Sequence, residues 1–208
     1  MGLTDFVILS FGSLFVIVDP ITLIPTFLAM TRESSVEERI RMSAVASALT
    51  FIILVLFAVG GQWIFKAFGI TLPALQIAGG IILMIIALDM LKARQTLVKE
   101  TPEERAEGVS KDDIAITPLA IPMLAGPGAI TTVVLLASKA VTFQHQMVLF
   151  VNIFLICFLT FLILRLAAIR SSLLSGIALK VFTRLMGLLL AVVAIQFIIN
   201  GIETIKIL

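Results

Sequence analysis

Six apolar runs alternate with shorter polar stretches along the 208 residues, at roughly 4–30, 43–65, 70–91, 114–138, 146–164 and 178–202. A helix rises about 1.5 Å per residue, so runs of this length reach across a bilayer core of about 30 Å. Between them, Thr31–Arg41 is charged, Lys66–Leu72 is short and holds Gly69, and Lys139–Gln146 is brief. Lys92–Asp113 is the longest polar stretch, mixing acids and bases with Pro102 and Gly108, and Arg165–Ser175 is basic and serine-rich. The pattern predicts an all-α polytopic membrane protein with six transmembrane helices.

Two of the six runs carry interruptions. The first holds Asp19-Pro20-Ile21-Thr22-Leu23-Ile24-Pro25 near its middle. Each proline lacks the N–H that should reach back one turn, and its ring crowds the carbonyl four residues earlier. An Asp at mid-bilayer costs about 2.5–3.5 kcal/mol on insertion scales. Unwound backbone and charge at that depth persist where they face a polar cavity inside the protein. The fourth run reads Pro122-Met123-Leu124-Ala125-Gly126-Pro127-Gly128-Ala129-Ile130-Thr131-Thr132. There Pro127 is placed to begin a new half-helix, with flanking glycines that free the backbone.

The interruptions also relate the two halves of the chain. Pro20 and Pro25 correspond to Pro122 and Pro127, again five residues apart. Gly69-Ile70-Thr71-Leu72 recurs as Gly176-Ile177-Ala178-Leu179. At the same offset Gly80 corresponds to Gly187, Ala87 to Ala194 and Asp89 to Gln196. Three crossings per half is an odd number, so the second half is predicted to lie upside down. The expected plan is two inverted three-helix repeats, 1–95 and 114–208, joined by a solvated cytoplasmic linker, 96–113, with the first and fourth helices broken at Pro/Gly.

Composition sharpens this. The chain is 60% hydrophobic and 13% charged with mean hydropathy +1.18, which leaves little room for a soluble domain. The net charge of +2 gives no reason to expect nucleic acid. With the N-terminus outside, twelve Lys and Arg fall in the inner loops against three outside (Lys66, Lys139, Lys206), so both termini are expected outside the cytoplasm. Met1–Asp5 lacks the basic start of a cleaved signal peptide, and Phe6 stands where myristoylation needs Ser or Thr. The single Cys157 excludes an intramolecular disulfide and reads as a small core residue, while Trp63 falls at a helix end suited to the headgroups.

N–H groups after Pro127 are expected to be unpaired donors at a positive dipole end, suited to a carboxylate, with a matching end after Pro25. Carbonyls freed before each break, with the Asp19 carboxylate, suit an ammonium group or a cation. A small zwitterion satisfies both. Asp19 also suits capping of a half-helix that starts at Pro20. Among the secondary polar candidates, Asp89 precedes Lys92 by nearly one turn and suits an interfacial or paired acid. Gln196 and Asn200 share one helix face and, with Asn152, suit hydrogen bonds between helices. Gly79-Gly80 suits close helix approach, and His145 is expected to be solvated in a short outer loop. Nothing resembles a metal cluster, a nucleophile with its base or a phosphate loop, so the protein is not expected to be an enzyme and no metal site or cofactor is expected.

The combination Val18-Asp19-Pro20, Ile24-Pro25-x-Phe27-Leu28, Ile77-Ala78-Gly79-Gly80, Ala87-Leu88-Asp89-Met90-Leu91, Pro118-Leu119-Ala120-Ile121-Pro122-x-Leu124-Ala125-Gly126-Pro127-Gly128-Ala129-Ile130 and Gln196-Phe197-x-x-x-Gly201 resembles the MarC family over nearly the whole chain. That resemblance implies a six-crossing inner-membrane protein grouped with lysine-exporter-type transporters, some described as handling small neutral amino acids such as glycine and alanine. Thr22-Leu23 stands where members often carry Gly-Asn, and Thr22 supplies a hydroxyl in its place. The substrate-binding candidates are then Asp19, Pro20, Thr22, Pro25, Gly126, Pro127, Gly128, Thr131 and Thr132. The expected function is secondary transport of a small zwitterion, as exporter or exchanger, with a proton or Na⁺ as candidate coupling ion and a homo-oligomer left open. The alternatives are a cation or metal exporter and a non-transporting membrane modulator.

Overall fold

In the computed structural model, which describes residues 2–32, 34–92, 115–170 and 176–207, every regular element among the described residues is helical. The order is α1 (Leu3–Val18), α2 (Ile24–Met30), α3 (Val36–Ala67), α4 (Leu72–Leu91), a π-wound segment π1 (Ala115–Leu124), α5 (Pro127–Lys139), α6 (Phe143–Ile169) and α7 (Gly176–Ile207). The expected linker 96–113 lies outside the described residues.

Among the described residues four spans, Val36–Gly61, Pro73–Leu91, Phe143–Ile169 and Thr183–Ile205, are long and apolar enough to cross a membrane. The apolar helices α1, with 16 residues, and α5, with 13, are shorter than the roughly 20 residues a crossing needs. Each is adjoined by a second piece, α2 after α1 and π1 before α5. Burial is arranged for lipid. Ser10, Ser43, Ser47, Thr50, Thr131, Thr132, Asn152 and Thr160 are buried, while Ile52, Leu56, Val59, Phe154, Leu185 and Val192 are exposed. Apolar side chains outside and hydroxyls inside suit a hydrocarbon solvent.

Helix starts reflect the local sequence. Ser35 and Glu38 form a reciprocal capping box, which lets α3 begin several residues before its apolar run. Thr71 caps α4 by accepting from Ala74 N–H at 3.3 Å, and Thr142 caps α6 by accepting from His145 N–H at 3.4 Å. His145 therefore belongs to the first turn of α6 rather than to an outer loop. Its ring lies edge-on to Phe6, centroids 4.9 Å apart, and its Nδ1 pairs with the Thr142 hydroxyl.

Packing joins elements from opposite halves of the chain. The most extensive pairing is α4 with α7, followed by α3 with α6 and α1 with α6; α3 also packs on π1 and α5. The α4–α7 pair runs antiparallel and is built on reciprocal close approaches. A Cβ at Gly80 would lie 2.7 Å from the Ala194 carbonyl oxygen, and one at Gly187 would lie 3.2 Å from the Ala87 carbonyl oxygen. These four positions are the corresponding pairs read from the sequence. Leu83, Ala87, Leu190 and Ala194 make a small core of their own, separate from the larger core of α1, α2, α3, π1, α5 and α6. Ile17 borders both.

Candidate functional site

The first interruption begins where α1 stops at Val18. Asp19 adopts left-handed backbone, φ 45° and ψ 61°, and its N–H still donates to the Phe15 carbonyl. A side chain with a β-carbon is strained there, and Asp tolerates it because its carboxylate can bond the local chain. Here Thr22 Oγ1 donates to Asp19 Oδ2 at 2.5 Å and Thr22 N–H donates to Oδ1 at 3.4 Å. Asp19 thus closes the turn Pro20–Leu23 rather than capping a helix from Pro20; the half-helix starts at Ile24, with Pro25 in its first turn. Asp19, Thr22 and Pro25 are half-buried and Pro20 is buried.

The second interruption is narrower than the sequence suggests. The stretch through Pro122 and Leu124 stays wound as π1, and only Ala125 and Gly126 separate it from α5. Ala125 N–H donates to the Ala120 carbonyl five residues back, at 2.8 Å. Wider winding is a way for a helix to pass a residue that lacks an N–H donor without ending there. Pro127 opens α5, where the Gly126 N-cap has no side-chain cap, leaving the N–H groups of its first turn without one. Pro127 is exposed, whereas Gly128, Thr131 and Thr132 are buried. Thr132 Oγ1 donates to the Gly128 carbonyl at 2.8 Å, so this hydroxyl is turned onto its own helix. The matching donors expected after Pro25 are reduced: α2 has only seven residues, and Ile24 N–H already donates to the Ile21 carbonyl.

The end of α1, just before the first interruption, approaches the start of α5 at Gly128. A Cβ there would lie 2.4 Å from Leu83 Cδ2 and 3.5 Å from Ile17 Cγ2, two residues before Asp19. One turn along α4, a Cβ at Gly79 would lie 3.1 Å from the Cβ and Oγ1 of Thr131. Leu83, Ile17 and Gly79 therefore complete the surroundings of the predicted residues. Only the Gly79-Gly80 pair gave any sequence signal of this, by suggesting close approach.

The secondary candidates lie apart. Asn152 Nδ2 donates to Ser10 Oγ at 2.7 Å and to the Val7 carbonyl at 3.2 Å, tying α6 to the first half of α1 as an interhelical bond. Gln196 Nε2 donates to Asn200 Oδ1 at 2.8 Å, so these two bond along α7 rather than between helices. Asp89 is half-buried in the last turn of α4 and is engaged in an interaction. Cys157 is buried, as expected of a core residue. Ser43 and Thr50 donate to carbonyls of their own helix, but Ser47 Oγ, on the same stripe of α3, has no hydrogen-bond partner among the described residues. Among the described residues no three His, Cys, Asp or Glu side chains come together as a metal would require. A cavity of about 420 Å³, lined by Trp63, Ser138, Gln146, Leu149 and Phe150 among others, opens where α3 and α5 end and α6 begins.

The sequence profile of MarC family integral membrane proteins matches residues 4–206. The chain belongs to the MarC family. Among its relatives, the UPF0056 membrane protein YvbG of Bacillus subtilis is 40% identical over 96% of this chain and 95% of its own length. A UPF0056 membrane protein of Methanocaldococcus jannaschii is 39% identical, covering 97% of this chain and 89% of itself. The Escherichia coli membrane protein YhcE is 32% identical over 93% and 90%. No solved structure matches. As a MarC family integral membrane protein, the chain contacts the lipid bilayer through its apolar outer faces.

Proposed function

We propose that this MarC protein is a secondary transporter of small neutral amino acids such as glycine and alanine, working as exporter or exchanger in the inner membrane. The observation that carries the reading is the approach at Gly128 of the end of α1, which leads into the acid-bearing interruption, to a side-chain-uncapped helix start. The first offers the Asp19 carboxylate to an ammonium group, and the second offers backbone N–H donors to a carboxylate. A proton or Na⁺ is the candidate coupling ion at Asp19. Both termini lie outside the cytoplasm in this proposal, in keeping with the Lys and Arg distribution. The inverted-repeat plan is supported by the reciprocal contacts of Gly80 with Ala194 and Gly187 with Ala87, since two-fold symmetry pairs each residue with its counterpart's partner.

The test is flux of labelled alanine and glycine in liposomes carrying the purified protein. Uptake or counterflow above empty vesicles, lost in Asp19→Asn, is expected. Wild-type flux no greater than that of empty vesicles overturns the assignment for these substrates.

A further inference from the structure

Alternating access needs two bodies that move against each other, and inverted repeats suggest that the repeats themselves are those bodies. The packing argues otherwise. The extensive contacts run between the halves, with α3 on α6, α1 on α6 and α3 on both π1 and α5, so neither half forms a bundle that could rock alone. The division that does appear is the one between the two cores. One core gathers α1, α2, α3, π1, α5 and α6, and the other belongs to α4 and α7.

The two kinds of contact differ in character. Within the α4–α7 pair, glycines admit the partner's backbone at both ends of the crossing: Gly187 beside the Ala87 carbonyl, and Gly201 3.0 Å from the Pro73 carbonyl at its would-be Cβ. Such backbone-to-backbone meshing resists sliding. Between α4 and α5, side chains meet bare glycine surface instead, Thr131 on Gly79 and Leu83 on Gly128. At both of these glycines the nearest atoms of the other helix belong to side chains, and the boundary passes by Gly128, where the end of α1 reaches the start of α5.

We propose that α4 and α7, one helix from each half, move together as a wall against the other helices, and that Leu83 is the side chain this wall withdraws from Gly128 to admit ligand. The wall rests on the transport reading, because its motion is what uncovers Gly128, the buried residue in the first turn of α5. Leu83 is 1% exposed and occupies the space beside Gly128, so in this proposal a ligand reaches the Gly128 N–H after α4 shifts.

Disulfide locks test it on the full-length protein in liposomes, in a Cys157→Ala background, with labelled alanine as probe. The Cβ separation is 3.1 Å for Gly79 with Thr131 across the boundary and 2.9 Å for Gly187 with Met90 within the pair, both a little under the usual span of about 3.5–4.5 Å. Oxidising Gly79→Cys/Thr131→Cys is expected to abolish whatever flux its own dithiothreitol-reduced form retains, Thr131 being itself a binding candidate. Oxidising Gly187→Cys/Met90→Cys is expected to leave the flux of its own reduced form unchanged. Equal flux before and after locking the boundary overturns the wall. Spin labels on lipid-facing positions decide the matter even without flux or if a lock impairs folding. Ile85→Cys with Leu188→Cys, within the pair, should give one narrow distance, and Ile85→Cys with Ile52→Cys, across the boundary, should give two populations. Narrow single distances for both pairs overturn the inference, and absent wild-type flux overturns only the transport reading.

Discussion

Gly128→Ala is the sharpest probe of the geometry, because the new methyl has a definite place to collide. Its Cβ would stand 2.4 Å from Leu83 Cδ2 and 3.2 Å from Leu83 Cγ, against a comfortable carbon–carbon separation of about 3.5–4.0 Å. Leu83 is 1% exposed, so its methyl has no solvent or lipid to swing into, and the backbone of α4 or α5 must yield. Overpacking of this kind costs about 1–3 kcal/mol. Leu83→Ala alone should cost about 2–5 kcal/mol through lost packing. In the double variant the added methyl enters space that Leu83 vacated. Gly128→Ala should then cost nothing further, giving a favourable coupling of about 1–3 kcal/mol. Gly12→Ala is the control: among the described residues nothing beyond its own stretch of helix backbone lies within 4 Å of its would-be Cβ, and Ala in a helix interior gains about 0.5–1 kcal/mol over Gly. Unfolding of the purified protein by SDS in mixed micelles, monitored by circular dichroism, measures all four variants. If Gly128→Ala costs the same with and without Leu83, the first turn of α5 does not sit on α4.

Asp19→Asn should keep the fold within about 0.5 kcal/mol, since Asn tolerates left-handed backbone and its side-chain oxygen can still accept from Thr22, while alanine flux is lost. Asp19→Ala should cost about 1–2 kcal/mol in the same SDS titration through strain and the lost Thr22 bonds; equal stability of the two variants counts against the turn that Asp19 closes. Asn152→Leu removes the bonds to Ser10 and the Val7 carbonyl and should cost about 0.5–2 kcal/mol, with most of that cost gone in a Ser10→Ala background. Additive losses in that pair show that the α1–α6 tie contributes little.

The apolar runs revealed the apolar helices, four of them long enough to cross a membrane among the described residues, because lipid rewards hydrophobicity regardless of neighbours, and the prolines revealed where two of the runs falter because a missing N–H is a local fact. The path the chain takes after a proline is less local. Asp19-Pro20 looked like a helix start, yet the chain closes a separate turn on Thr22 first and begins the helix at Ile24. Pro122 looked like a break, yet a wider winding carries the helix past it and the gap falls at Ala125 and Gly126. Both outcomes depend on hydrogen-bond choices among several carbonyls, which residue types alone leave undetermined. Leu83 was invisible for another reason. One leucine among many on α4 carries no mark until Gly128 is found opposite it. His145 and Gln196 went astray in the same direction: a polar residue was assigned to solvent or to another helix when its partner sat one turn away on its own chain.

Where the two halves agree and where they differ is itself informative. Along α4 and α7 the correspondence is close, with Gly80 and Ala87 on one helix serving as Gly187 and Ala194 do on the other. At the interruptions it fails. The first half supplies a carboxylate held in left-handed backbone, and the second supplies a glycine-flanked helix start with no side chain over it. A frame that only packs gains nothing from losing symmetry at one spot, because like surfaces bury like areas. A ligand with two unlike ends does require it, since ammonium and carboxylate need partners of opposite polarity. Symmetry along α4 and α7 with asymmetry at the interruptions favours the proposed reading of a carrier for a zwitterion.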